Sequence, residues 1–203
     1  MADQTEAESL HTGADGITRC RWAGESELMQ AYHDEEWGMP VYDDWALFER
    51  LILEGFQAGL SWRTILHKRE NFHRAFDGFD PEKMAAYDEA KIQALLQDAG
   101  IVRNRLKVRG AVKNAQAFLR LVAETGSFSD WLWAFVDGVP RLPAQPLTYA
   151  TMPAFTPEAK AMSKALKKAG FTFVGPTICY AFMQSAGMVD DHMVGCFKYS
   201  GPT

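Results

Sequence analysis

Apolar residues recur along most of this chain with the period of an amphipathic α-helix, and many of the periodic segments follow a residue that can cap a helix. The candidate caps are Asp43 or Asp44 before WALFERLILE, Ser61 before WRTILHKRENF, Asp80 before PEKMAAY, and Asp88 before EAKIQALLQDAG. No run of alternating apolar and polar residues indicates a sheet. The pattern therefore predicts an all-α domain of about eight to ten short helices.

The size and composition of the chain favour one folded domain or two closely packed lobes. With 203 residues, 47% of them hydrophobic, the chain can bury a core without crosslinks. Its three cysteines argue against a secreted disulfide framework, and no apolar run resembles a signal peptide or a membrane span. We therefore expect a cytoplasmic protein that does not enter a membrane. Residues 1–19 lack periodic apolar positions, which predicts a mobile tail ahead of a domain over residues 20–203.

A lysine-bearing helix followed by a glycine-containing turn is a candidate binding element. The helix is predicted from Thr156 to Gly170 and carries Lys164 and Lys168 in its basic cluster. The next helix begins near Gly175 and Thr177, where free N–H groups could bind an anion such as a DNA phosphate. An ordinary turn with solvated lysines explains the same residues, and the net charge of -5 argues weakly against a polyanionic partner.

Two cysteines and two histidines, near opposite ends of the chain, have the composition of a metal site. His192 and Cys196 lie four positions apart, so both can reach one ion from a single turn or compact loop. Cys20 and His33 are the best complement, and the four together would make a closed tetrahedral zinc site that joins the two ends. The alternative is a pair of buried cysteines and a pair of core histidines. The third cysteine, Cys179, lies on an apolar helix and is expected in the core.

Aromatic residues near His33 suggest a pocket for a flat ligand. Tyr32 and Trp37 flank His33, and the segment LEGFQAGLSW adds Glu54 and Trp62. Glu54 falls at the border of the apolar face of its helix, which predicts partial burial. A carboxylate among aromatic rings suits a cationic, hydrogen-bonding ligand such as an alkylated purine. Alternatively, the tryptophans are core residues and the glutamate is an exposed acid at a helix end.

The chain resembles a known family through many motifs spread over residues 20 to 200. These are RCRWAG, AYHDEEWGMPVYDD, LFERLILEGFQAGLSW, KRENF, FDPEKMA, LLQDAGIVRNRLKV and SKALKKAGFTFVGPTICYAFMQSAGMVDDHMVGC. Together they are similar to DNA-3-methyladenine glycosylase I, a base-excision family of the helix-hairpin-helix superfamily. The resemblance implies a helix-hairpin-helix glycosylase fold, with the hairpin element at about residues 160–187.

The resemblance also implies an activity and its residues. The activity is flipping and excision of 3-methyladenine from double-stranded alkylated DNA by hydrolysis of the N-glycosidic bond, without strand cleavage and with free 3-methyladenine as product. It implies a monomer with one structural zinc ion. The implied zinc ligands are Cys20, His33, His192 and Cys196; the base-binding residues are Tyr32, Trp37, Glu54 and Trp62, with Glu54 also catalytic; the DNA contacts are Leu60, Lys164, Lys168, Gly175 and Thr177.

Asp190 departs from the family pattern, which typically has an amide at this position in the VDDH segment. It could be a catalytic residue that stabilises charge on the sugar, or a structural residue that caps the turn or orients His192; we favour the structural role. Two other function classes compete with a glycosylase. A zinc hydrolase would need an open metal position, and a non-catalytic DNA-binding or lesion-recognition module would bind DNA and release no base.

Overall fold

Nine α-helices carry most of residues 8–201, which are the residues that the computed structural model describes. They are α1 (Glu27–Glu35), α2 (Asp44–Gln57), α3 (Trp62–Ala75), α4 (Pro81–Ala85), α5 (Glu89–Gln97), α6 (Arg105–Thr125), α7 (Phe128–Trp133), α8 (Pro157–Lys168) and α9 (Pro176–Ser185). Short 3-10 turns at Arg21–Ala23, Asp77–Phe79 and Ala134–Val136 connect some of them. This confirms a mostly helical domain. None of these described helices is both long and apolar enough to cross a membrane.

The helix starts follow the capping residues seen in the sequence. The side chains of Ser61, Asp80 and Asp88 each accept a hydrogen bond from a backbone N–H in the first turn of α3, α4 and α5. Asp43 rather than Asp44 caps α2, accepting from the Ala46 N–H at 2.8 Å. Asp44 instead accepts from two backbone N–H groups at the start of α7, so it ties the two helix starts together.

Helix α2 runs through the hydrophobic core. All six residues from Leu51 to Phe56 are buried, so this stretch of the helix has no solvent-facing side. Helices α3, α6 and α9 pack around it. Aromatic contacts fill the space between them, with Phe56 against Phe72 at 4.7 Å between ring centroids.

The N-terminal segment corrects two predictions. β1 (Leu10–Thr12) and β2 (Thr18–Cys20) form an antiparallel hairpin, so the fold is not purely helical and residues 8–19 are not a tail. The guanidinium of Arg19 is buried, and it forms ion pairs with Asp15 at 2.8 Å and Asp34 at 2.7 Å. The ion pair with Asp34 joins the hairpin to α1, and three-residue strands are too short to show an alternating pattern. The part of the predicted tail before residue 8 lies outside the described residues.

Helices α8 and α9 are joined by a tight turn over residues 169–175. Gly170 has a φ of +100°, a left-handed conformation that favours glycine and ends α8 as predicted. Asn114 of α6 anchors the turn, because its side chain accepts from the Thr172 N–H at 2.7 Å and donates to the Thr172 carbonyl at 3.0 Å. The turn is therefore fixed on α6, with the start of α9 held in a defined direction.

Candidate functional site

A cavity of about 400 Å³ opens between α1, the end of α2, the start of α3 and α9. This volume lies within the usual range for small-ligand pockets. The cavity is lined by all four of the predicted base-binding residues, namely Tyr32, Trp37, Glu54 and Trp62. The structure therefore brings together side chains from three helices and from the turn after α1, as the sequence analysis expected.

Glu54 is almost fully buried at the wall of this cavity, with 3% of its surface exposed. The predicted border position is therefore wrong, and so is the alternative of an exposed acid, because α9 packs against α2 on that side. The Oε2 atom has no hydrogen-bond partner within the described residues. Burial raises the pKa of Glu54 to about 8, although a hydrogen bond with Ser185 and the charge of Arg50 lower it. An unpartnered buried carboxylate oxygen at a cavity wall indicates a ligand that donates a hydrogen bond there.

Aromatic rings form the other walls. The rings of Tyr32 and Trp62 lie 5.1 Å apart between centroids at 41°, and the Trp62 Nε1 has no partner among the described residues. Tyr32 is buried, and this burial raises the pKa of its hydroxyl, with a smaller contribution from the charge of Glu54. For Trp37 the core position and the pocket position are both correct, because its ring packs in a buried aromatic cluster and also lines the cavity. The walls therefore suit a flat ring held between aromatic faces and edges.

Sequence reasoning missed several residues that line this pocket, among them Trp22 and Gln184. Trp22 lines the cavity and contacts Trp37 edge-on, at 5.1 Å between ring centroids. Gln184 of α9 also lines it. The signal for Trp22 was its position beside the predicted metal ligand Cys20, whereas nothing in the local pattern around Gln184 distinguishes it from other polar residues of an apolar helix.

The predicted metal ligands converge beside the pocket. One ligand atom from each of Cys20, His33, His192 and Cys196 lies within 4.8 Å of the others, and all four residues are buried. The Sγ atom of Cys196 lies 3.5 Å from His33 Nε2 and 3.7 Å from His192 Nδ1. The predicted grouping is therefore confirmed as a cluster that could hold a metal ion, and two sulfur and two nitrogen donors are a set typical of structural zinc.

The surroundings of the cluster fit a metal ion. Asp34 Oδ1 lies 2.8 Å from His33 Nδ1, which leaves Nε2 to face the cysteines, as in metal-bound histidines. A hydrogen bond between the two thiols raises the pKa of Cys20 and lowers that of Cys196. A divalent cation would stabilise both as thiolates. Trp37 packs its ring edge-on against His192 at 4.7 Å, so the pocket wall rests on the cluster.

Asp190 lies on the turn that carries the cluster and is not among the residues that line the cavity. Its Oδ1 accepts from the His192 backbone N–H at 3.2 Å, and its Oδ2 bonds the Ser200 hydroxyl. Its own N–H donates to the Arg141 carbonyl at 2.9 Å. These contacts favour the structural role over the catalytic one.

The predicted DNA contacts lie on the surface. Leu60 is 43% exposed in the loop between α2 and α3, directly before the cavity residues Ser61 and Trp62. Lys164 and Lys168 are exposed on α8. Gly175 caps α9 with φ -64° and ψ 160°, which other residues adopt, and a side chain there would meet no protein atom within 4 Å. Thr177 is exposed in the first turn of α9, where N–H groups have no helical partner.

Lys107 of α6 differs in its surroundings from the exposed lysines Lys164 and Lys168 of α8. It is buried, and its Nζ donates to the carbonyls of Phe56 at 2.8 Å and Ala58 at 2.6 Å. It therefore stabilises the carboxyl end of α2, directly before the Leu60 loop.

Comparisons with known proteins identify the family of this chain. A family model for methyladenine glycosylase matches residues 22–199. DNA-3-methyladenine glycosylase 1 of Escherichia coli is 49% identical over 91% of this chain and 98% of its own length. The corresponding Haemophilus influenzae enzyme is 49% identical over 88% of this chain and 96% of its own length.

Solved structures of proteins with this name have a similar fold. A crystal structure of 3-methyladenine DNA glycosylase I superimposes with a TM-score of 0.86 at 48% identity, covering 91% of this chain and all of that one. A Staphylococcus aureus structure, described as showing the structural basis of 3-methyladenine recognition, gives a TM-score of 0.85 at 38% identity over 91% of this chain and 97% of its own. This chain belongs to the methyladenine glycosylase family.

Proposed function

We propose that this protein excises 3-methyladenine from alkylated DNA by hydrolysing the bond between the base and the sugar. The observation that carries the proposal is Glu54, a buried carboxyl group with an unpartnered oxygen inside an aromatic pocket. Relatives named for this activity are 49% identical to the chain over almost their whole length. The function therefore rests on one site and on family membership together.

The chemistry of the pocket suits the damaged base. Methylation of the ring nitrogen gives adenine a positive charge, which weakens the glycosidic bond and makes the base a good leaving group. The rings of Tyr32 and Trp62 would attract this cation by about 0.5 to 2 kcal/mol. Glu54 would accept a hydrogen bond from its amino group. Unmethylated adenine lacks the charge and the weakened bond, so selectivity and rate enhancement have the same origin.

Glu54 has to ionise when the base binds. With its pKa at about 8 in the free protein, the carboxyl group is mostly protonated near neutral pH. An incoming cation favours the ionised form, so base binding lowers the pKa and expels a proton to the solvent. The carboxylate then holds the charge of the base until the bond to the sugar breaks. Because the leaving group is already cationic, no general acid is required.

The DNA would lie across the surface that carries Leu60 and the start of α9. In this arrangement α8, the turn and α9 act as the helix-hairpin-helix element, with the N–H groups of Gly175 and Thr177 on a phosphate. Lys164 and Lys168 would add sequence-independent attraction to the backbone. Leu60 would fill the gap that the flipped nucleotide leaves. The glycosylase domain of this proposal includes the N-terminal hairpin as well as the predicted range of residues 20–203.

Zinc is the metal that we propose for the cluster, with one ion per chain. Cys20, His33, His192 and Cys196 would hold it, so that the ion joins β2 and α1 to the C-terminal turn. Four protein donors leave no position for a reactive water, which argues against a zinc hydrolase. The role of the ion is therefore structural. A monomeric state and a cytoplasmic location stay predictions.

The competing function is a DNA-binding or lesion-recognition module, which the exposed lysines and Leu60 would also serve. The two are distinguished by incubating the protein with methylated duplex DNA and counting free bases and abasic sites. A monofunctional glycosylase yields equal numbers of both, and strands break only after alkali. Duplex binding without any base release would favour the non-catalytic module.

A further inference from the structure

Gln184 contributes a polar side chain to the pocket. A residue outside the pocket, Asp191, fixes the orientation of this side chain. The side chain lies on α9 and lines the same cavity as Glu54 and Trp62. Its Nε2 donates a hydrogen bond to Asp191 Oδ2 at 2.8 Å. Because a side-chain amide has its donor and acceptor on opposite arms, the position of Nε2 also determines where Oε1 points.

Asp191 is well placed to hold the amide in this orientation. It is buried, lies six residues after the end of α9, and lines a neighbouring cavity together with residues between Arg141 and Glu158 rather than the base pocket. The Tyr180 hydroxyl bonds the same carboxyl group. Two donors thus converge on Asp191, and an ionised carboxylate can only accept. The amino arm of Gln184 is therefore turned away from the pocket, and Oε1 is the polar atom left for it.

The pocket then offers acceptors from two directions. Glu54 contributes the unpartnered Oε2, and Gln184 contributes Oε1. Adenine carries an exocyclic amino donor at the ring position where guanine carries a carbonyl acceptor. An amino group placed between the two acceptors can satisfy both, whereas a carbonyl group would face an acceptor and stay unpaired.

We propose that Gln184 is a specificity-determining residue that accepts a hydrogen bond from the exocyclic amino group of the flipped base, and that Asp191 is the positioning residue that fixes its amide. The inference rests on the proposed function and deepens it, because it says how the pocket prefers 3-methyladenine to 3-methylguanine. The positive charge alone does not make this distinction, since both bases carry it after methylation of the ring nitrogen.

The test measures a ratio of two rates. Single-turnover release of 3-methyladenine and of 3-methylguanine from the same methylated duplex DNA is followed for the wild-type protein, Gln184→Leu and Asp191→Asn. Leucine removes the acceptor, so the preference for 3-methyladenine should fall by about tenfold. Asparagine replaces one of the two acceptor oxygens of Asp191 by an NH2 donor, so the hydrogen bonding that holds the Gln184 amide is weakened and the ratio should fall as well.

Matched controls separate specificity from general damage. Gln116→Leu makes the same change on α6, where Gln116 is exposed and donates to the Ala85 carbonyl. It should leave the ratio unchanged. Because Asp191 precedes the cluster residue His192, metal content is measured for each variant. If Asp191→Asn does not fold, Gln184→Leu decides the question alone.

Two results separate this inference from the proposed function. If the wild-type protein releases 3-methyladenine and Gln184→Leu slows both bases equally, the inference is wrong and the function stands. If the wild-type protein releases no base, the proposed function fails. The inference is then decided by titrating free 3-methyladenine and 3-methylguanine against the fluorescence of the pocket tryptophans. An equal affinity of wild-type protein and Gln184→Leu for the adenine base would overturn it.

Discussion

The substitution Glu54→Gln should make the protein more stable and less active at the same time. Its buried carboxyl group has a pKa of about 8, against an ordinary value of 4.5, because burial disfavours the charged form. The folded protein therefore binds more protons than the unfolded chain between these two values. The free energy of unfolding contributed by this group is unaffected below pH 4.5 and falls as the pH rises towards 8.

The expected gain in stability of Glu54→Gln follows from the difference between the folded and unfolded pKa values of Glu54. The pKa values of about 8 and 4.5 correspond to roughly 4 to 5 kcal/mol of stability lost above the higher value, at about 1.4 kcal/mol for each pH unit. Glutamine is neutral and nearly the same shape, so it removes this cost. The variant should therefore be more stable than the wild-type protein by a few kcal/mol at about pH 9 and close to it at about pH 4.

Urea unfolding followed by circular dichroism at several pH values checks this prediction, with the exposed residue Glu124 changed to glutamine as the control. Single-turnover release of 3-methyladenine by Glu54→Gln should fall by about a hundredfold or more, since the neutral amide cannot balance the charge of the base. A variant no more stable than wild type at high pH would refute the burial argument. Unchanged base release would show that Glu54 has no role in binding or excising the base.

Three further predictions concern the groups around the pocket. Chelation of the zinc ion proposed for the cluster, or Cys196→Ser, should lower the thermal stability of the whole domain rather than stop chemistry selectively. Metal analysis and circular dichroism check this, and a folded, fully active metal-free protein would contradict it. Asp190→Asn should keep base release within a few-fold of wild type, because Asp190 bonds the turn and lies outside the cavity; a loss of about a hundredfold with metal retained would restore the catalytic role. Lys107→Met should destabilise the protein by about 1 to 3 kcal/mol in urea unfolding, since two carbonyls at the end of α2 lose their donor; an unchanged midpoint would contradict it.

Local signals predicted the helices well. Ser61, Asp80 and Asp88 cap helices as expected, because a capping side chain bonds backbone groups two or three residues away. The cysteine and histidine cluster was also predictable, since few combinations of these rare residues exist in the chain. The helix caps were predictable because their hydrogen bonds are local in sequence. The cluster was predictable because the composition leaves few candidate ligands.

The burial of Glu54 was not predictable in the same way. A helical wheel assumes a helix with one apolar face, which predicts a border position for this residue. Helix α2 is instead covered on all sides between Leu51 and Phe56, because α9 returns from a distant part of the chain. The same long-range packing brings Trp22 and Gln184 to the pocket.

The N-terminal hairpin was also not predictable from the sequence pattern. Its strands of three residues carry no alternating pattern, and its position depends on the ion pair between Arg19 and Asp34. Asp34 in turn contacts His33 of the cluster. The buried guanidinium of Arg19 therefore joins the hairpin to α1, and a pairing between charges that are distant in sequence is not visible in a periodicity.

The most direct test of the proposed activity is the release of free bases from methylated duplex DNA, with 3-methyladenine and 7-methylguanine separated by chromatography. The folded, zinc-loaded protein should release 3-methyladenine and leave 7-methylguanine in the DNA. Release of neither base by folded, zinc-loaded protein would contradict the account and favour a non-catalytic DNA-binding module.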